Sequence, residues 1–382
     1  MNTTQARLPI YESGVKDFYG ASVILGVGFL LCLGLVMVAS SSMEIAESRY
    51  GDAFFLFKRQ LILLVPGLLA AFIIYQIPLS VWQKFSGILL LFGIILLFLV
   101  LLPGIGREVN GSQRWINLGF ISFQPSELCK IFVVLYIADY LVRRQSKVRT
   151  DWVGFLVPLA IMGILVFLLL LEPDFGSVVV LMFAVMTMLF LAGVRLQQFI
   201  ALISVSFILA ALAAAASPYR MKRLSAYANP WEDQFGSGYQ LTQSLIAFGR
   251  GEWFGVGLGE SVQKLFYLPE AHTDFLFAIL AEEFGLFGSL VVIATFSLVV
   301  ACGMQIGKRA EQRGKMYQAY VAYGISILIG VQAFINMGVC SGLLPTKGLT
   351  LPFMSYGGTS LAISIVMLGF LLRANFEVVN NL

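Results

Sequence analysis

The sequence predicts an all-α polytopic membrane protein of about ten transmembrane helices, with one long extracytoplasmic loop between the seventh and eighth. Of its 382 residues, 59% are hydrophobic and only 12% charged, about half the charged share of an average soluble domain. The mean hydropathy is +0.87, more apolar surface than a soluble chain of this size can hide. Disorder, coiled coil and a nucleic-acid-binding module are excluded on that ground. The apolar residues also gather in runs close to the ~20 residues that a helix needs to cross the hydrocarbon core. The chain 1–382 reads as a single transmembrane domain.

The runs lie near 18–40, 59–77, 82–103, 123–142, 152–171, 175–194, 197–216, 273–303, 317–341 and 355–375. Glycine is frequent inside them, which suits close helix approach in a bilayer. Proline mostly punctuates their ends, as at Pro78, Pro103, Pro173 and Pro352, while Pro66 and Pro158 fall inside and predict kinks. The residues before Tyr19 are mixed polar without a small-residue cleavage pattern, so the first run reads as a span and not a removed signal peptide. Cys32, Cys129, Cys302 and Cys340 all sit in apolar runs, which argues against disulfide and zinc frameworks. With one histidine, His272, no HExxH site can form.

Orientation follows from the basic residues of short loops. Loop 143–151 carries Arg143, Arg144, Lys147 and Arg149, and loop 304–316 carries Lys308, Arg309, Arg313 and Lys315. With Arg7, Lys16, Lys84, Arg195 and Arg373 they predict cytoplasmic tails at about 1–17 and 376–382. Lys58 and Arg59 fall on the other side and count against this, but they are outnumbered. The outer side then receives loops 41–58, 104–122 and 342–354, the Glu172-Pro173-Asp174 turn and the long segment 217–272.

Ionisable residues at membrane depth are costly and mark candidate sites. Glu127 and Lys130, three apart, share a helix face near the outer end of the fourth span. Glu172, Asp174, Arg114, Lys264, Lys347 and Asp274 fall on the same side, and the inner half shows almost nothing comparable. A charged cleft opening outward is the expectation. The Gly255-Val256-Gly257-Leu258-Gly259 run follows no strand and is no nucleotide loop, and no GxxxxGK[ST] occurs. Polymer synthesis outside the cytoplasm needs a donor with its own leaving group, such as a polyprenyl-pyrophosphate sugar. That chemistry requires a base for the acceptor hydroxyl and cations for the departing pyrophosphate. Asp274 is the candidate base, and Lys130, Lys264, Arg114 and Lys347 are the candidate cations. The competing reading makes Asp274 a helix N-cap.

At these residues the chain resembles the SEDS family (shape, elongation, division and sporulation proteins). The motifs are Gly111-Ser112-Gln113-Arg114-Trp115-Ile116, Gln124-Pro125-Ser126-Glu127 through Lys130, and Glu172-Pro173-Asp174-Phe175-Gly176. They continue in Gly238-Tyr239-Gln240, Pro269-Glu270-Ala271-His272-Thr273-Asp274-Phe275 with Glu282-Glu283, and Ser355-Tyr356-Gly357-Gly358. The Thr346-Lys347 pair within 342–352 resembles the division branch more than the elongation branch. The resemblance spans about 17–378 and implies a peptidoglycan glycosyltransferase that polymerises lipid II at the division septum of the cytoplasmic membrane. It further implies a class B penicillin-binding protein (transpeptidase) partner, FtsQLB regulators and other divisome proteins. The family's essential loop aspartate falls on Asp274, its span-four pair on Glu127 and Lys130, and its Glu-Pro-Asp aspartate on Asp174. A divalent cation (Mg or Mn) at the pyrophosphate is compatible with this chemistry. A lipid II flippase and a transpeptidase-docking scaffold are the alternatives.

Overall fold

Each of the ten apolar runs folds as a helix in the computed structural model, which describes residues 17–109, 112–117, 122–215, 221, 227–346 and 348–382. In chain order the elements are α1 (Phe18–Tyr50), α2 (Phe55–Gln76), α3 (Leu79–Leu101), strands β1 (Gly106–Val109), β2 (Ser112–Asn117) and β3 (Ser122–Phe123), α4 (Pro125–Arg143) and the short α5 (Gln145–Thr150). There follow α6 (Trp152–Leu171), α7 (Phe175–Leu191), α8 (Leu196–Ala215), α9 (Tyr239–Gly251), α10 (Leu276–Gln312), α11 (Met316–Cys340) and α12 (Thr359–Val379). Among the described residues, seven helices are long and apolar enough to cross a membrane, and α7 is a shorter apolar helix. The fold is that of an all-α polytopic membrane protein. The small sheet β1–β2–β3 is antiparallel throughout and occupies the loop between α3 and α4.

Local chemistry sets several boundaries. The Asp17 carboxylate accepts from Gly20 N at 3.1 Å and caps α1, satisfying one of the orphan amides of a first turn. Gly51, at φ 71°, ends the same helix in the left-handed region that glycine enters without steric cost. Pro125 opens α4, where its missing amide is harmless. Pro66 and Pro158 lie within α2 and α6, which run through both.

α11 stands at the centre, packed by α10, α12, α4 and α7, while α2 packs on α12, α3 on α4 and α1 on α10. Close approach relies on small residues. A Cβ on Gly369 would meet the Ala71 carbonyl oxygen at 2.7 Å, and one on Gly324 would meet Val134 Cγ1 at 2.5 Å. Leucine, isoleucine and phenylalanine cover the outward faces of α2 and α3.

α10 is broken. Gly285 takes φ 66° and ψ −161° inside it, and the freed backbone groups are met by segment 252–257. Val256 N and Gly257 N donate to the Glu282 and Glu283 carbonyls at 3.0 and 3.1 Å, and Leu286 N and Phe287 N donate to Glu252 and Trp253 carbonyls at 2.9 and 3.1 Å. Irregular backbone at this depth persists only where the protein satisfies it.

Three expectations need correction. The end of the bundle expected to face inward is not bare of charge. Asp139, Arg373 and Glu377 are all buried there. Arg143 Nε donates to Asp139 at 2.7 Å, Arg373 Nε to Glu377 at 2.8 Å, and Leu79 N to Glu377 at 2.7 Å. These residues sit in the last turns of α4 and α12, where a sequence reading takes them for the polar flank of a span. The helices also outrun their apolar cores: α1 continues to Tyr50 and α10 to Gln312, and much of loop 143–151 is α5. Finally, α10 begins at Leu276 with Phe275 as its N-cap. Asp274 lies one residue outside the cap position, in a turn.

Candidate active site

Glu127 and Lys130 face one another on the first turns of α4, as the three-residue spacing requires. Lys130 Nζ lies 2.8 Å from both Glu127 carboxylate oxygens and donates to Gln332 Oε1 on α11 at 2.7 Å. Gln332 Nε2 in turn donates to the Thr350 carbonyl at 3.1 Å. One turn further along α11, Asn336 Nδ2 donates to the Leu349 carbonyl at 2.6 Å and to the Asp274 carbonyl at 2.8 Å. Two neutral amides on one helix therefore tie the buried ion pair, the 342–354 loop and Asp274 together. The Asp274 side chain itself is half-buried. A Cβ on Gly348 would lie 2.9 Å from its Oδ2, so the carboxylate rests against a loop whose glycine leaves room for it. Lys347, the next residue, lies outside the described residues. Tyr356 N donates to the His272 carbonyl at 3.0 Å and the two rings stand 5.6 Å apart. Burial holds the His272 imidazole below its ordinary pKa, against the opposing pull of Glu270.

The Glu172-Pro173-Asp174 turn comes to the start of α4 from the other side. Arg114 on β2 donates Nε to the Glu172 carbonyl at 3.0 Å, hydrogen-bonds the Pro173 carbonyl, and sits 3.9 Å from Asp174 through Nη1. Asp174 caps α7 through Ser177 N at 3.2 Å and accepts from Ser126 Oγ at 3.1 Å. Gln124 N donates to Thr359 Oγ1 at 3.3 Å and brings in the start of α12. Glu172 is fully buried, and neither carboxylate oxygen finds a hydrogen-bond partner among the described residues. Burial first, then the neighbouring Asp174, pushes its pKa up to about 9 against the pull of Arg114. That environment favours the neutral acid over the carboxylate.

Lys264 belongs to a second, separate network. Its Nζ lies 2.8 Å from Glu283 Oε1, 2.9 Å from Ser40 Oγ and 2.6 Å from the Gly259 carbonyl, and its side chain is buried. Glu282 beside it accepts from Val262 N and Gln263 N at 3.1 and 3.2 Å and from Ser261 Oγ, with Arg250 3.5 Å away. Together they fasten loop 251–268 to the break in α10 and to α1.

A family model described as "Cell cycle protein", FTSW_RODA_SPOVE, matches residues 21–379. The chain belongs to this FtsW/RodA/SpoVE family. The resemblance read from the motifs is thereby borne out over nearly the whole chain. A Coxiella burnetii relative named "Probable peptidoglycan glycosyltransferase FtsW" is 54% identical, covering 97% of this chain and 99% of its own. A Legionella pneumophila relative of the same name is 52% identical, covering 94% and 92%. Among solved structures, a chain of a peptidoglycan synthase complex that coordinates polymerization and crosslinking superposes with a TM-score of 0.74 at 29% identity, covering 93% of this chain and 97% of that one. The rod shape determining protein RodA of Thermus thermophilus superposes with a TM-score of 0.68 at 26% identity, covering 93% and 96%.

In this FtsW/RodA/SpoVE chain the site thus gathers Glu127, Lys130 and Asp274 through α11, and Arg114 with Asp174 through the 172–174 turn. Sequence reasoning missed Gln332 and Asn336, the connecting amides. Their one available signal is a pair of carboxamides four apart within an apolar run, which a helix places on one face. Among the described residues no three histidine, cysteine, aspartate or glutamate side chains converge as a metal cage. A cation at the pyrophosphate would have to draw its ligands largely from the substrate, as Mg²⁺ commonly does.

Proposed function

We propose that this protein is a peptidoglycan glycosyltransferase that joins lipid II units into β-1,4-linked glycan at the outer face of the bacterial cytoplasmic membrane. The observation that carries the reading is the placement of Asp274. Its carboxylate is half-buried beside Gly348, and its backbone carbonyl is tied through Asn336 to the helix that also anchors Lys130. A carboxylate so placed can reach a sugar hydroxyl at the membrane surface while prenyl tails stay in lipid. In the proposed step Asp274 takes the proton of the acceptor's 4-hydroxyl, and that oxygen attacks the donor's anomeric carbon. The bond to pyrophosphate breaks as the new one forms, and undecaprenyl pyrophosphate departs from the opposite face. An α-linked donor therefore yields a β bond. The leaving group departs without a protein acid, so the paired carboxylates of glycoside hydrolysis are not needed.

Lys130 and Arg114 are the proposed electrostatic support for the phosphates, together with Lys347 on the loop that holds Asp274. Asp174 orients Arg114. Lys264, spent on Glu283, is assigned the holding of the outer loop. The ten helices are read as ten spans with both termini cytoplasmic, at the division septum. A class B penicillin-binding protein and the FtsQLB regulators are the proposed partners. The buried carboxylates of the inner end do not favour a flippase: Asp139 and Glu377 lie near the ends of α4 and α12, each with several hydrogen bonds. Polymerisation of lipid II by the purified protein with its transpeptidase partner tests the reading. No glycan from wild type in that assay would end it.

A further inference from the structure

A cavity of about 520 Å³ opens at the end opposite Asp274, between α3 and α4, lined by Ser80, Gln83, Lys84, Ser86, Asp139 and Arg143, with Gly87 beside them. We propose that it binds the headgroup of an anionic glycerophospholipid, with the acyl chains lying along α3.

The polar part is built rather than incidental. Asp139 is only 5% exposed, and both its oxygens are engaged: Oδ1 by Gln83 Nε2 at 3.0 Å, Oδ2 by Ser86 Oγ at 3.2 Å and by Arg143 Nε at 2.7 Å. A buried carboxylate held by donors on α3 thus fixes an arginine on α4. The charge left facing outward is positive, because the Arg143 side chain remains 52% exposed. Lys84 and the Ser80 hydroxyl are also exposed at the mouth. A guanidinium, an ammonium and a hydroxyl on one rim complement a phosphodiester, and a planar arginine fork suits its oxygens.

The depth fits a headgroup. Lys84 lies about 8 Å along α3 from its first residue, and Asp139 about 6 Å from the last residue of α4, at 1.5 Å per residue. The apolar part fits acyl chains. A Cβ on Gly87 would meet nothing within 4 Å, and exposed Ile88, Leu91, Phe92 and Ile95 continue upward from it. A soluble anion would use only the rim; a lipid uses both. Net negative charge matters because a zwitterionic headgroup would bring its own ammonium against Lys84 and Arg143. Phosphatidylglycerol is therefore favoured over phosphatidylethanolamine.

The test uses the full chain in nanodiscs of equal mole fractions of these two lipids, with retained lipid weighed by native mass spectrometry. Wild type should retain phosphatidylglycerol over phosphatidylethanolamine by on the order of tenfold. Lys84→Gln/Arg143→Gln should bring the ratio close to one. Lys147→Gln/Lys308→Gln, which removes the same charge from exposed residues at the same end, should leave it unchanged. Lys84→Gln alone perturbs only an exposed side chain, and should lower the ratio severalfold with the fold intact. Equal retention of the two lipids by wild type would overturn the proposal. So would an unchanged ratio in Lys84→Gln, or an equal fall in the Lys147→Gln/Lys308→Gln control, which would reduce the effect to general attraction by a basic surface.

Discussion

The ammonium of Lys130 bridges α4 and α11: it sits 2.8 Å from Glu127 on its own helix and 2.7 Å from Gln332 Oε1, a residue 202 positions away. Gln332 supplies a neutral acceptor, so the pair carries no surplus charge into the core. Removing one member of such a buried pair leaves the other uncompensated, at a cost of about 3–5 kcal/mol. Lys130→Met is therefore expected to lower folded yield and to abolish polymerisation. Glu127→Gln/Lys130→Met, with no stranded charge, should regain most of the yield and none of the activity. Size-exclusion recovery and a lipid II assay on the same preparations separate the two effects. Wild-type activity per folded molecule in the double variant would assign the pair to packing alone.

Asp274→Asn keeps volume and an oxygen but removes the base. Because Phe275, not Asp274, occupies the cap position of α10, stability should change little. Glycan formation should fall to background while the variant still inserts in the membrane. A polymer yield close to wild type would take Asp274 out of the mechanism.

Glu172 carries a pH signature. Its pKa stands near 9 in the folded chain against an ordinary 4.5. Between those values the folded state holds a proton that the unfolded state has lost, so stability falls as pH rises across that window. Glu172→Gln, permanently neutral, should flatten the decline in thermal midpoint between about pH 5 and 9. The same slope in wild type and variant would show that Glu172 is ionised when folded.

Gly285→Ala should be among the most damaging single-methyl changes. The residue sits at φ 66°, and a Cβ there would approach Gly255 N to 2.4 Å. Strain of this kind costs about 1–3 kcal/mol before any backbone clash. A lowered thermal midpoint with loss of the 252–257 packing is expected, read by protease sensitivity of the outer loop. An unchanged midpoint would mean that the break tolerates a side chain.

Cysteine labelling from each side of the membrane checks the orientation. Positions in 143–151 and 304–316 should react only from the cytoplasm, and those in 227–272 only from outside. Labelling of the long loop only from the cytoplasm would contradict a lipid-linked donor on the outer face.

The helices were legible because ~20 apolar residues in a row leave few alternatives in a bilayer. The Glu127–Lys130 contact was legible too, since it depends on spacing within one helix. Contacts between distant segments were not. Nothing local to Lys264 announces Glu283 or Ser40 as its partners, and Gln332 and Asn336 hardly disturb the apolar run that contains them. The helical extension of α1 from Ser40 to Tyr50 was hidden because hydropathy reads its serines and the exposed Glu44, Glu47 and Arg49 as a loop, and the Glu283 carboxylate that receives Ser40 lies 243 positions away. Asp139 and Glu377 were hidden by position: near a helix end, hydropathy cannot distinguish a solvated flank from a buried acceptor.

The interruption at Gly285 also bears on how the chain enters its membrane. A span with exposed amides and carbonyls is a poor substrate for lipid, since each unmet group costs several kcal/mol in hydrocarbon. The segment that meets them, 252–257, lies just upstream and has already been synthesised when α10 emerges. The intervening chain lies within one loop and the start of one helix, and the entropy of closing it grows only slowly with its length. The repair can therefore be completed before α11 and α12 exist.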